Sequence, residues 1–136
     1  MLIALLKIAG GLLIGLSLIH SLFGRQFAWA EELPRLSLLN RQIFQVHCFF
    51  IALTVGLMGV LAFGWSEALV TRSSLGKAIA AGLTLFWSCR LVFQWAVYDW
   101  SLWRGRPFET AVHWMFTTLW IFFAAVFGWT FAVQCS

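Results

Sequence analysis

The chain has 136 residues, of which 62% are hydrophobic and 10% are charged, and its mean hydropathy is +0.88. Soluble domains carry about 25% charged residues, so this composition excludes an ordinary soluble domain and predicts an integral membrane protein in a lipid bilayer. The net charge of +4 comes from scattered basic residues. We interpret it as a determinant of membrane topology and expect no nucleic-acid partner.

Four apolar segments are long enough to cross a bilayer at about 20 residues per helix. In chain order they cover about residues 2–23, 41–65, 78–98 and 110–133. Because the connections are short, the sequence predicts one domain, residues 1–136, with an all-α integral membrane fold: an antiparallel bundle of four transmembrane helices. The first segment has no basic residue before its apolar run, and we expect a retained helix rather than a signal peptide.

Four spans make a multi-pass protein with both termini on one side of the membrane. We call this the terminal side, and we call the opposite side, with loops at about residues 24–40 and 99–109, the loop side. The loop side carries Arg25, Arg35, Arg41, Arg104 and Arg106. The terminal side carries the amino terminus, Lys7, Arg72 and Lys77. Because connections rich in Lys and Arg tend to stay in the cytoplasm, the small excess of basic residues favours a cytoplasmic loop side.

Small residues are concentrated in the terminal-side half of every predicted span. They are Gly10, Gly11, Gly15, Gly56, Gly59, Gly64, Gly76, Ala78, Ala80, Ala81, Gly82, Ala124, Ala125 and Gly128. In lipid, small residues let helix backbones approach one another closely. We therefore expect the terminal-side half of the bundle to pack tightly.

Polar and ionisable residues fall in the loop-side half of the spans. They are His20, Gln42, Gln45, His47, Arg90, Gln94, Tyr98, Asp99 and His113. Such residues are costly inside a membrane and usually face the bundle interior, one another or a water-filled cavity. The sequence therefore predicts a polar pocket that opens toward the loop side.

Helical phase, at about 100° per residue, selects the faces that would line this pocket. One face of the third span carries Trp87, Arg90, Gln94 and Tyr98. One stripe of the fourth span carries Glu109, His113, Thr117, Trp120 and Ala124. In the second span Gln45 and His47 point nearly opposite ways, so at most one of them can face a shared pocket.

Arg90 lies about eight residues from the end of its span, roughly 12 Å along the helix axis, so its side chain reaches only part of the way to water. Its charge needs a partner. A ligand anion, a lipid phosphate or a quinone carbonyl would serve. The alternative is that glutamine, backbone carbonyls and a carboxylate satisfy Arg90, which then only holds the bundle together.

The candidate ligand-binding residues are Arg90, Gln94, Tyr98, Asp99, Gln45 and Trp87. They suit a quinone headgroup, whose carbonyls accept hydrogen bonds and whose reduction needs a proton source, for which Asp99 is a candidate. His47, His113 and His20 are candidate ligands of a b-type haem, although no two of them have metal-ligand spacing on one helix. The signal for a haem is weak, and near-interfacial histidines are more often hydrogen-bonding or interfacial residues.

We expect a quinone- or haem-associated redox protein, or a subunit of a membrane electron-transfer complex. One alternative is a structural subunit that packs against other membrane subunits through its aromatic surface. Another is a small transporter or lipid-binding protein, although the polar residues do not continue across the bundle. The chain has no nucleophile elbow, phosphate loop or paired carboxylates, so a hydrolase or kinase has no support, and enzymatic activity is left open.

Overall fold

The computed structural model describes residues 1–26 and 29–136, which are helical nearly throughout and contain no strand. In chain order the elements are α1 (Leu2–Gln26), α2 (Trp29–Glu32), a 3₁₀ turn (Leu33–Arg35), α3 (Leu38–Gly64), α4 (Ser66–Val70), α5 (Ser74–Ala96), a second 3₁₀ turn (Trp100–Leu102) and α6 (Pro107–Cys135). Four of these helices dominate the chain, as the sequence predicts.

The four long helices are each long and apolar enough to cross a membrane, within the bounds Leu2–His20, Leu38–Gly64, Ser74–Ala96 and Pro107–Cys135. This confirms four long apolar helices at the predicted positions and suggests a multi-pass membrane protein. The antiparallel four-helix bundle, the single domain and the assignment of sides stay predictions.

Three of the long helices begin about one turn before the start predicted from hydrophobicity. Ser37 and Ser73 are the N-cap residues of α3 and α5, and their hydroxyl oxygens accept hydrogen bonds from Asn40 N at 3.4 Å and Gly76 N at 2.9 Å. Helix α6 starts at Pro107, whose missing N–H suits a first helical turn. Capping chemistry rather than hydrophobicity sets these boundaries.

The chain divides into two compact units, Lys7–Trp65 and Met1–Leu6 with Ser66–Ser136. In the Lys7–Trp65 unit, α1 and α3 approach backbone to backbone. A Cβ atom added to Gly10 would lie 2.6 Å from Phe63 N and 2.7 Å from Gly59 O. Near this approach, the Ser17 hydroxyl donates to the carbonyl of Ala52 at 2.7 Å. Both glycines belong to the set that the sequence assigned to close helix packing.

In the second unit, α5 and α6 form a helical hairpin, and hydrogen bonds hold the hairpin at each of its two ends. At one end Gln94 of α5 meets His113 of α6. At the other end Gln134 of α6 donates to the carbonyls of Leu69 and Thr71, at 2.7 and 2.8 Å, and accepts from Ser73 N at 2.9 Å. One buried glutamine thus holds the segment that leads from α4 into α5.

Candidate functional site

Gln94 is the centre of a polar network between α5 and α6. Its Oε1 accepts hydrogen bonds from Arg90 Nη1 at 3.1 Å and from the indole Nε1 of Trp120 at 3.2 Å. Its Nε2 lies 2.9 Å from Nδ1 of His113. Gln94 is 4% exposed and His113 is 5% exposed. Three polar side chains therefore converge on one buried amide.

Arg90 is half-buried, and aromatic rings lie beside its guanidinium group. The Cζ atom is 4.8 Å from the ring centroid of Trp120 and 5.9 Å from that of Tyr98. Among the side chains that the structure describes, which exclude those of residues 21 and 23–28, the single ion pair joins exposed Arg35 and Glu32 at 3.9 Å, so no described carboxylate pairs with Arg90. The guanidinium group of Arg90 has five N–H donors, and one of them donates to Gln94. The other N–H groups remain available to a further acceptor, such as a bound ligand.

An aromatic cluster surrounds this network. Trp120 stacks with Trp87 at 5.2 Å and with Phe116 at 5.4 Å between ring centroids. The imidazole of His113 lies 4.5 Å from the ring of Trp103 and 5.2 Å from that of Trp95. Aromatic faces attract cations, and Arg90 lies over two of them, those of Trp120 and Tyr98.

Two buried polar atoms of the hairpin, Trp87 Nε1 and Thr117 Oγ1, have no hydrogen-bond partner among the described residues. Thr117 lies between His113 and Trp120 on the buried face of α6. Buried polar groups without partners cost free energy and are rare in folded proteins. Their presence beside the Gln94 network marks this region as one with unused hydrogen-bonding capacity.

The sequence-predicted residues Tyr98 and Asp99 lie just beyond the end of α5 and are exposed. Asp99 Oδ1 accepts from Ser101 N at 2.7 Å and caps the second 3₁₀ turn. Hydrogen bonds from the Ser101 hydroxyl and backbone N–H lower the pKa of Asp99, so this carboxyl is ionised at neutral pH. The structure therefore brings Tyr98 to Arg90 but gives Asp99 a local capping contact.

The remaining candidates, Gln45, His47 and His20, belong to the Lys7–Trp65 unit. Gln45 and His47 are exposed. The Nδ1 atoms of His20 and His47 each lie 2.8 Å from the backbone carbonyl four residues earlier, those of Leu16 and Ile43. No group of three or more histidine, cysteine, aspartate or glutamate side chains with metal-site geometry occurs in the described part of the chain. A pocket shared by candidates from both units stays a prediction.

A shallow groove of about 570 Å³ lies between α5 and α6. Its lining residues are Leu91, Val92, Trp95, Ala96, Trp114, Thr117 and Ile121. Most of these side chains are apolar, but the ring of Trp95 also lies 5.2 Å from that of His113, and Thr117 shares the buried face of α6 with His113. The groove therefore adjoins the His113 side of the polar network.

On the two faces selected by helical phase, Trp87, Gln94, His113, Thr117 and Trp120 are buried, whereas Tyr98 is exposed. Helical phase does not show which of these residues bond to one another, and it gives no indication that Trp120 contacts Arg90. Gln134 was missed altogether, although an isolated glutamine at the end of an apolar helix could have signalled a capping contact. No known protein family, curated protein or solved structure matches the chain.

Proposed function

We propose that the protein binds the headgroup of a membrane quinone at Arg90 and serves membrane electron transfer, alone or as a subunit of a larger complex. The observation that carries this proposal is the guanidinium of Arg90, held by Gln94 and Trp120 without a described carboxylate. A charged group inside an apolar helix pair is a candidate functional group by default.

Quinone chemistry fits the groups around Arg90. A quinone carbonyl accepts hydrogen bonds, and the unused guanidinium N–H groups can supply them. The positive charge would also stabilise negative charge that develops on the headgroup during reduction. The headgroup is flat and apolar between its carbonyls, which suits the rings of Trp120 and Tyr98.

The four long apolar helices also support this proposal. A quinone partitions into the bilayer through its hydrocarbon tail, and the four long helices are those of a multi-pass membrane protein. Arg90 lies within one of these helices, α5, rather than in a connecting segment. A lipophilic ligand could therefore reach it from the membrane without first crossing into water.

The test is the quinone content of the protein purified in mild detergent. Wild type, Arg90→Gln and the control Arg104→Gln, which removes the same charge from an exposed loop, are extracted with organic solvent and analysed by mass spectrometry. We expect quinone to co-purify at about one per chain with wild type and Arg104→Gln. A charge-assisted hydrogen bond contributes about 1.5–3 kcal/mol, so Arg90→Gln should weaken binding by roughly ten- to a hundredfold.

Absorption spectra of the oxidised and dithionite-reduced samples separate the alternatives. A haem Soret band that persists in Arg90→Gln would replace the quinone proposal with a haem protein. Retention of an anionic phospholipid in place of quinone, in an Arg90-dependent manner, would identify a lipid phosphate as the ligand. A colourless sample without quinone would contradict the proposal and favour a structural subunit.

A further inference from the structure

The amide orientation of Gln94 is determined by its partners. Arg90 and the indole of Trp120 can only donate hydrogen bonds, and both lie at hydrogen-bonding distance from the same amide atom of Gln94. That atom must be the oxygen, because the reversed amide would place an NH₂ group against two donors. The NH₂ group of Gln94 therefore faces His113.

The orientation of Gln94 determines the proton position on His113. The Gln94 NH₂ group donates across 2.9 Å to Nδ1 of His113, so Nδ1 must present a lone pair. A neutral imidazole with a lone pair on Nδ1 carries its proton on Nε2. Among the residues that the structure describes, none forms a hydrogen bond with this Nε2.

The other two histidines have the opposite arrangement. Nδ1 of His47 lies 2.8 Å from the Ile43 carbonyl, and Nδ1 of His20 lies 2.8 Å from the Leu16 carbonyl. A carbonyl oxygen only accepts, so in both residues Nδ1 carries a hydrogen. In His47, a neutral ring of this kind presents its lone pair at Nε2, as metal-ligating histidines do. The hydrogen bonds thus divide the three histidines into two chemical types.

We infer that Gln94 is a positioning residue that fixes His113 as the Nε2–H tautomer, and that His113 is a hydrogen-bond donor to the bound headgroup rather than a metal ligand. The tautomer follows from the network alone, whereas the donor role rests on the proposed function. Together, Arg90 and His113 would supply donors to a ligand with two acceptor oxygens, the chemical class to which quinones belong.

The tautomer can be measured by NMR on the full-length protein in detergent, with ¹⁵N in the histidine rings, at neutral pH and without added ligand. Signals of His113 are assigned by their loss in His113→Asn. We expect an unprotonated Nδ1 and a protonated Nε2 for His113, and a protonated Nδ1 for His47 in the same spectrum. A protonated Nδ1 on His113 would overturn the inference.

The substitution Gln94→Glu tests the role of Gln94 in fixing the tautomer. A carboxylate has the same shape but presents only acceptors, so Nδ1 of His113 should become protonated. The control is Gln42→Glu, the same chemical change at an exposed position of α3, which should leave the His113 signals unchanged. An unaltered His113 spectrum in folded Gln94→Glu would show that another contact fixes the tautomer.

Addition of a short-chain quinone tests the donor role. We expect the Nε2 signals of His113 to shift on saturation while those of exposed His47 stay in place. A bound quinone that leaves His113 unshifted would overturn the donor role but not the tautomer. Failure of any quinone to bind would instead contradict the proposed function, and the spectrum of the ligand-free protein would still decide the tautomer.

Discussion

Replacing Gly10 by alanine should force α1 and α3 apart. The added Cβ would lie 2.6 Å from Phe63 N, 2.7 Å from Gly59 O and 2.8 Å from Phe63 Cβ. Two of these three neighbours are backbone atoms, which cannot rotate away as the end of a flexible side chain can. Non-bonded atoms prefer separations of roughly 3.5 Å or more, so the helices must separate by close to 1 Å.

The cost of this displacement can be estimated from measured overpacking. One inserted methyl group in a packed interior typically costs about 1–3 kcal/mol. Alanine improves intrinsic helix stability over glycine by about 1 kcal/mol, which offsets part of this cost. We therefore expect Gly10→Ala to lower the free energy of unfolding by up to about 2 kcal/mol, and to leave it about 1–3 kcal/mol below that of an unobstructed Gly→Ala substitution.

The assay is unfolding of the purified protein in mild detergent, followed by circular dichroism. Gly11→Ala is a matched control, because a Cβ at Gly11 has no neighbour within 4 Å. This variant should be unchanged or more stable than wild type. Equal stabilities of Gly10→Ala and Gly11→Ala would refute the close approach of α1 and α3.

Two further predictions concern the Ser66–Ser136 part of the chain. Gln134→Ala removes the three hydrogen bonds that hold the segment before α5, and at about 0.5–1.5 kcal/mol each it should lower the free energy of unfolding by roughly 2–4 kcal/mol in the same assay. Gln134→Glu should not rescue it, because a carboxylate would face two carbonyl oxygens. The pKa of Asp99 is lowered by Ser101, so its cap is fully formed above the ordinary carboxyl pKa and is lost as pH falls through the lowered value. NMR titration should show this midpoint rising in Ser101→Ala, and an unchanged midpoint would contradict the assigned cause.

Hydrophobic length was sufficient to predict the four long helices because a span needs a fixed number of apolar residues. It could not place their ends, since Ser37 and Ser73 extend α3 and α5 through side-chain caps that contribute nothing to hydropathy. The role of Asp99 was predictable in principle. An aspartate two residues before Ser101 matches a common local turn, which competes with the predicted roles in ligand binding and proton donation.

The partners of Arg90 could not be derived from one sequence. Helical phase gives the direction of a side chain around its own axis, but pairing also needs the rotation and depth of the neighbouring helix. Gln94 and His113 were therefore both assigned to inward faces without being identified as a pair. The same limit applies to Gly10 and Gly59, since composition alone does not distinguish them from Gly11, which has no close neighbour.

The most direct test of the account is equilibrium binding of a short-chain quinone to the protein in lipid nanodiscs, followed by tryptophan fluorescence. Trp120 and Trp87 stack beside Arg90, so a bound quinone should quench part of the emission. We predict saturable binding to wild type and to Arg104→Gln, weakened roughly ten- to a hundredfold in Arg90→Gln. Unsaturable quenching, or equal affinity in all three proteins, would contradict a quinone site at Arg90.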